Sequence, residues 1–210
     1  MRYFARFLHL CAPNLLNMTK NIAVFASGSG SNAENIIRYF MDSETISVRL
    51  VISNRSKAFV LERAKILQVP SEVFLREEWE SGGINVLAAL KKYGIDFIVL
   101  AGFLVRVPDA LLHIYSNRII NIHPSLLPKH GGKGMYGDHV HEAVVAAAEA
   151  ETGITIHYVN EHYDEGEIIR QITCPVLPAD TPEDVANKVH ALEYEHYPRV
   201  IEEIVLRRGV

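Results

Sequence analysis

Asn121, Ile122, His123 and Pro124 open a segment that runs on through Ser-Leu-Leu to Pro128, placing an amide, an imidazole and a proline within four positions. If Arg118 to His123 (RIINIH) is a strand, alternation sends Asn121 and His123 to the same face. Pro124 holds His123 extended and ends the pairing, which brings both polar side chains to the strand's carboxyl end. Open α/β sheets bind their ligands there. An amide N–H beside an imidazole can stabilise a developing oxyanion while the ring moves a proton near neutral pH. The same pair would also serve as a hydrogen-bonded core contact that closes a strand. A histidine used for proton transfer needs a carboxylate to set its proton affinity. Asp164-Glu165-Gly166 supplies one on a turn that Gly166 allows to bend sharply, although alone it also reads as an ordinary acidic surface turn.

A second constellation lies near the start. Gly28, Ser29, Gly30, Ser31 and Asn32 follow an apolar run, Asn21 to Ala26, and open a helix. Glycines let the backbone approach a phosphate, and the free amides of a helix start point toward it with a favourable dipole. The hydroxyls of Ser29 and Ser31 and the amide of Asn32 can add donors. Gly28-x-Gly30-x-x-Ala33 also satisfies the dinucleotide fingerprint, but Ser53-Asn54-Arg55 stands where an acidic residue is expected, and Arg55 would suit the extra phosphate of NADP. The glycines would equally serve as a tight turn only.

Seven of the ten histidines fall between His113 and His162. His139-x-His141 with His157 is the obvious metal candidate, yet a spacing of two suits a strand or loop rather than a helix, and no cysteine pair supports it, so no metal is expected. Lys129 to Gly137 (KHGGKGMYG) holds four glycines in nine residues and reads as a mobile loop beside the site, able to close over a substrate. Glu193 lies four residues after Val189, near the apolar side of a helix, where an unpaired carboxylate is costly. It would bind hydroxyls there or stand exposed at the stripe's edge.

These groups need a scaffold. Asn21–Ala26, Ile46–Ser53, Asp96–Ala101 and Arg118–His123 read as buried strands. Asn32–Phe40, Lys57–Leu67 and Asn85–Tyr93 read as helices, the last stopped by Gly94. The alternation predicts a mostly parallel sheet with helices on both faces, of the α/β class. Val140–Ala150 reads as a helix, and Gly153–Val159 and Ile168–Cys174 as strands. Thr181-Pro182 starts a last helix with Val185, Val189, Leu192 and His196 on one side, which Pro198 should kink or end.

The 210 residues fit one compact domain, with 49% apolar and 22% charged residues. A net charge of −4 with no basic run longer than a pair argues against nucleic acid. Two cysteines, Cys11 and Cys174, form no disulfide framework, which fits a reducing cytoplasm. No apolar run approaches the ~20 residues a membrane span needs. Residues 1–17 match no motif: Arg2 and Arg6 among apolar residues resemble a signal peptide faintly, but His9 and Pro13 interrupt it and no A-x-A site follows. They are expected to be a dispensable or mis-assigned extension, with Met18 the start of the domain.

The glycine turn, Ala101-Gly102-Phe103, Asn121 to Pro128 and Asp164-Glu165-Gly166 occur in the order found in the folate-dependent formyltransferases, and from about Asn21 to about Ile204 the chain resembles that family. The resemblance is greatest to its members that formylate glycinamide ribonucleotide. It implies a Rossmann-like formyltransferase domain over residues 18–210. It also implies direct formyl transfer from 10-formyltetrahydrofolate, a co-substrate used without metal, to the primary amine of glycinamide ribonucleotide in de novo purine (IMP) biosynthesis. By position, Asn121, His123 and Asp164 would be catalytic: Asn121 and His123 hold the oxyanion, His123 carries the proton, and Asp164 tunes it and organises a water. Gly28, Ser29, Gly30, Ser31, Asn32, Pro124, His190 and Glu193 would bind the nucleotide, the turn around Gly30, Ser31 and Asn32 holding its phosphate. Arg76, Leu104, Val105, Arg106, Val107, Asn121, Asn160, Glu161, His162, Tyr163 and Asp164 would meet the folate, while Gly131 to Tyr136 departs from the shortest family members. Relatives acting on methionyl-tRNA or deformylating the folate carry extra domains for which this length leaves no room. An NADP-dependent oxidoreductase and a non-catalytic nucleotide-binding module are the readings from other classes. Only small molecules are expected as partners.

Overall fold

The computed structural model describes residues 19–207, so the expectations for residues 1–17 and for Met18 lie outside the described residues. The chain runs β1 (Lys20–Phe25), α1 (Ser31–Tyr39), β2 (Ile46–Ser53), α2 (Val60–Ile66), β3 (Ser71–Val73), α3 (Arg76–Glu80), α4 (Ile84–Lys92), β4 (Phe97–Leu100), α5 (Asp109–Ile114), β5 (Ile119–His123), α6 (Asp138–Ala146), β6 (Glu151–Tyr158), β7 (Ile168–Pro175) and α7 (Pro182–Arg207). The sheet order is β3-β2-β1-β4-β5-β6-β7. Strands β1 to β5 are parallel, and β6 and β7 join antiparallel.

Strand residues alternate between two cores. Ile22, Val24, Phe97 and Val99 face one that is closed by α1, α2, α6 and α7. Ala23, Phe25, Ile98 and Leu100 face the other, closed by Trp79, α4 and α5. Burial on both faces is why these strands are apolar throughout rather than alternating. The helices sit on both faces, as expected. The chain leaves β1 to build β2 on one side and later returns to place β4 on the other, so the strand order reverses beside β1. A crevice opens at the carboxyl ends of such a pair, and the glycine turn, the loop after β4 and the end of β5 all border it.

Two expectations change, and two short elements are new. First, Pro198 neither ends nor interrupts α7, which continues to Arg207. A proline there cannot donate to the carbonyl of Tyr194, and Asn35 of α1 satisfies that oxygen instead, its Nδ2 donating at 2.9 Å. Second, the buried side of α7 runs Val185, Val189, Glu193, Tyr197 and Ile201. Leu192 and His196 are half-buried at its border. The elements β3 and α3 were not legible in the sequence: both are very short, and they place Trp79 against Phe25 and Phe103. Gly94 does stop α4 with φ 61°. No described helix is long and apolar enough to cross a membrane.

Candidate functional site

Ser27, at the end of β1, ties three loops together. Its N–H donates to Gly102 O at 3.0 Å, its hydroxyl donates to Asn54 Oδ1 at 2.5 Å, and the same oxygen accepts from Leu104 N at 2.8 Å. These loops rim one cleft of about 1160 Å³. That volume is at the upper end for a single ligand and suits two substrates side by side.

The glycine turn forms one wall. Gly30 takes φ 73°, and a Cβ there would lie 2.4 Å from Val60 Cβ and 2.8 Å from its Cα. Glycine is therefore needed for both conformation and clearance. Val60 N donates to Gly28 O, and Arg63 Nε donates to Ser29 O at 2.8 Å, so the start of α2 pins the turn. With the turn fixed, the first amides of α1 open toward the cleft. Gly28, Ser29, Gly30, Ser31 and Asn32 all line it.

Asn32 leads from the turn to α7. Its Nδ2 donates to Glu193 Oε2 at 2.8 Å, while its Oδ1 is buried without a partner. Nδ1 of buried His141 likewise has none, and its ring stands 6.1 Å from that of His190. Buried polar atoms left unpaired are costly, and Asn32 and His141 both line the cleft. Burial, then repulsion from His190, pushes the His141 imidazole below its ordinary value, against the pull of Asp138. Glu193 is 6% exposed and sits inside the stripe, not at its edge. Burial pushes its carboxyl up, and the Asn32 hydrogen bond and His190 draw it partly back. The native state thus holds a proton on Glu193 at pH values where the unfolded chain has released it, and stability falls as pH rises from 4.5 through the raised value. Glu193→Gln should remove that loss, raising Tm by roughly 2–4 °C at pH 8 and by much less at pH 4. Thermal denaturation at the two values checks it; an equal shift at both would contradict the account.

At the end of β5, Asn121 and His123 face the cleft together. His123 is 3% exposed. Its Nε2 lies 2.8 Å from the carbonyl of His130, which can only accept, so Nε2 carries a hydrogen. Nδ1 faces Asp164 Oδ2 at 3.5 Å. That oxygen also accepts from Gly132 N at 2.8 Å, and Oδ1 stands 3.7 Å from His157 Nε2. His157 is buried, which pushes its imidazole below the ordinary value despite the Tyr158 carbonyl and Asp164. Its Nδ1 donates to Tyr158 O at 2.8 Å, leaving Nε2 to accept from Asn121 Nδ2 at 3.2 Å. That contact fixes which way the Asn121 amide points and leaves its second N–H for the cleft. The arrangement offers an N–H donor and a proton carrier to one point, the chemistry of acyl transfer through an oxyanion.

The third wall follows β4. Leu104, Val105, Arg106, Tyr163 and Arg76 line the cleft. Arg76 is held at the rim by Glu80 of its own helix at 2.6 Å. Val107 is not part of this wall: it is 3% exposed and packs in the core with Leu111. Asn160, Glu161 and His162 also stand outside the lining, where Asn160 Oδ1 accepts from His162 N and Glu161 O accepts from Arg106. Among the described residues no three His, Cys, Asp or Glu side chains cluster as metal ligands.

The Formyl transferase family model matches residues 20–201. The chain belongs to the formyl transferase family. This formyl transferase is 41% identical over 187 residues to a chloroplastic phosphoribosylglycinamide formyltransferase of Arabidopsis thaliana, with 87% of this chain and 64% of the relative covered. It thus spans somewhat under two thirds of that relative's length. A Bacillus subtilis phosphoribosylglycinamide formyltransferase is 36% identical, with 89% of this chain and 95% of the relative covered. The crystal structure of the Bacillus halodurans phosphoribosylglycinamide formyltransferase superposes with a TM-score of 0.81 at 38% identity, covering 89% and 95% of the two chains.

Two features of this formyl transferase site escape a reading by motif. His157, considered in the sequence only as a metal ligand, is instead the residue that orients Asn121. The β5–β6 register, which sets Asn121 opposite His157, is the long-range signal that a linear reading lacks. The turn after Asn160 bends at Asp164, whose φ is 58°, rather than at Gly166. Gly166 is required for clearance: a Cβ there would lie 1.7 Å from Tyr158 O, the acceptor of His157. Gly166→Ala should therefore cost about 2 kcal/mol and lower Tm by roughly 4–8 °C. An unchanged melting curve would show that the Tyr158 carbonyl moves freely.

Proposed function

We propose that this formyl transferase moves the formyl group of 10-formyltetrahydrofolate to the primary amine of glycinamide ribonucleotide in de novo purine biosynthesis. The observation that carries the reading is the meeting of Asn121, His123 and Asp164 at the end of β5, in one cleft with the glycine turn. Family membership supports the formyl donor, and the names of the relatives support the acceptor.

Ser29, Ser31 and the amides opening α1 hold the nucleotide phosphate, and Glu193 takes the ribose hydroxyls beside His190 and Pro124. Leu104, Val105, Arg106 and Tyr163 receive the pterin, and Arg76 at the rim meets the folate's glutamate. The amine adds to the formyl carbon, forming a C–N bond. The oxygen becomes an oxyanion that accepts from the free N–H of Asn121 and, once the ring takes up a proton, from the Nδ1–H of His123. The new ammonium gives up a proton along His123, Asp164 and an intervening water. The folate nitrogen gains a proton as its bond to the formyl carbon breaks, so no net proton leaves the site. The products are the formamide nucleotide and tetrahydrofolate. Two cysteines without a disulfide framework support a cytoplasmic enzyme.

Hydrolysis of the same folate would need only water in place of the amine. The polar wall of Asn32, His190 and Glu193 favours the nucleotide. Release of tetrahydrofolate should require glycinamide ribonucleotide and saturate with it. Release at the same rate without nucleotide would make the protein a deformylase.

A further inference from the structure

The segment from Lys129 to Gly132 touches both polar partners of the proposed proton path through its backbone. His130 O accepts from His123 Nε2 at 2.8 Å, and two residues on Gly132 N donates to Asp164 Oδ2 at 2.8 Å. Gly131 between them packs so closely that a Cβ would meet Leu127 Cδ2 at 2.3 Å. His130 itself has φ 53°, a conformation that a side chain other than glycine adopts only when its surroundings hold it. His130 also borders a cavity of about 230 Å³, with Leu127, Pro128, Lys129, Glu149 and Thr152 among its lining. The holding contacts are polar. Ser125 Oγ donates to Lys129 O at 2.7 Å. Glu149, which follows α6, reaches His130 Nε2 at 3.1 Å with one oxygen and Lys129 Nζ at 2.8 Å with the other. The lysine is 66% exposed, whereas His130 and Glu149 are about one-fifth exposed, so the histidine arm is the one water screens least.

We propose that Glu149 is a positioning residue which, by clamping His130, keeps the His130 carbonyl on His123 Nε2 and so leaves Nδ1, the nitrogen facing Asp164, as the one that exchanges protons. The inference rests on the reading of His123 as proton carrier. A carbonyl opposite one ring nitrogen selects the tautomer, because the bonded nitrogen must carry the hydrogen. If the carbonyl drifts, the hydrogen can move to Nδ1, where it bonds to Asp164 and leaves the proton path closed. The charged and titratable groups around this link are Asp164 from the β6–β7 turn, His157 of β6, His141 of α6, and Lys129 and Glu151 near Glu149.

The test combines 15N NMR of the imidazoles, with the His123 signal assigned by its loss in His123→Asn, and steady-state kinetics. Wild-type neutral His123 should carry its hydrogen on Nε2. In Glu149→Ala the signal should move toward the Nδ1–H form and kcat should fall about tenfold, with both KM values within twofold. Glu149→Gln keeps an acceptor of the same length and should restore both. His130→Ala cuts the same link from the other side and should repeat the Glu149→Ala result, which keeps the test decisive if that variant does not fold. Lys129→Ala should change neither. An Nδ1–H tautomer in the wild type, an unmoved signal in Glu149→Ala and His130→Ala, or a loss confined to KM or Tm would overturn the proposal. A tautomer that shifts as stated in a protein without formyl transfer would instead overturn the function proposed above and leave the clamp standing.

Discussion

His123→Ala should lower kcat by roughly 10²–10⁴-fold, the range that a positioned proton-transfer group contributes, while the KM of each substrate changes only a few-fold. The size follows from placement. His123 ends a central strand, is almost fully enclosed, and is held at both nitrogens, by the His130 carbonyl and by Asp164. Little else in the cleft can take its role: His141 is buried with its ring beside His190, and His157 is committed to Tyr158 and Asn121. Removing the ring also strips Asp164 of the imidazole that faces it, leaving Gly132 N on that oxygen. A loss of stability is therefore expected, and kcat must be measured well below the variant's Tm. His123→Asn, which keeps a polar side chain in similar space, separates the effects: it should regain stability but not turnover. Recovery of turnover in that variant would mean that the ring carries no proton.

Asn121→Ala should lower kcat by about 10²–10³-fold, the cost of deleting one preorganised oxyanion donor. Two N–H groups leave the Asn121 amide, and the His157 contact uses only one. That contact keeps the other from turning away, so the donor is already aimed when charge develops. Asn121→Asp should be at least as damaging, because a carboxylate would oppose the oxyanion and face the bare Nε2 of His157. The sign separates an electrostatic role from a packing role. If the aspartate variant keeps most of the activity, Asn121 acts by shape alone.

Much of this site could be read from neighbouring residues because its determinants are local. Period-two alternation put Asn121 and His123 on one face, Pro124 ended their strand, and glycines followed at once by a helix marked the turn after β1. What escaped the sequence depends on contacts between distant segments. Pro198 stays within α7 because Asn35, 163 positions earlier, supplies the hydrogen bond that the proline cannot. Apolar character suggests Leu192 for the centre of the buried stripe, but the helix turns Glu193 inward, where Asn32 meets it. A glycine at 166 suggests a flexible bend, yet its contribution is the room it leaves for the Tyr158 carbonyl. Val107 is apolar and follows β4, as a cleft residue would, but the chain has already turned into the core there. In each case residue type was informative about environment, and the partner came from tertiary packing.

Transfer from folate to the amine in a single site has a direct isotopic readout. It is tested most directly by supplying 10-formyltetrahydrofolate labelled with 13C in the formyl group together with glycinamide ribonucleotide, and following the label by NMR. The label should appear as a formamide on the nucleotide in step with tetrahydrofolate. Label recovered as free formate, or remaining on the folate in the presence of a folded protein, would contradict it.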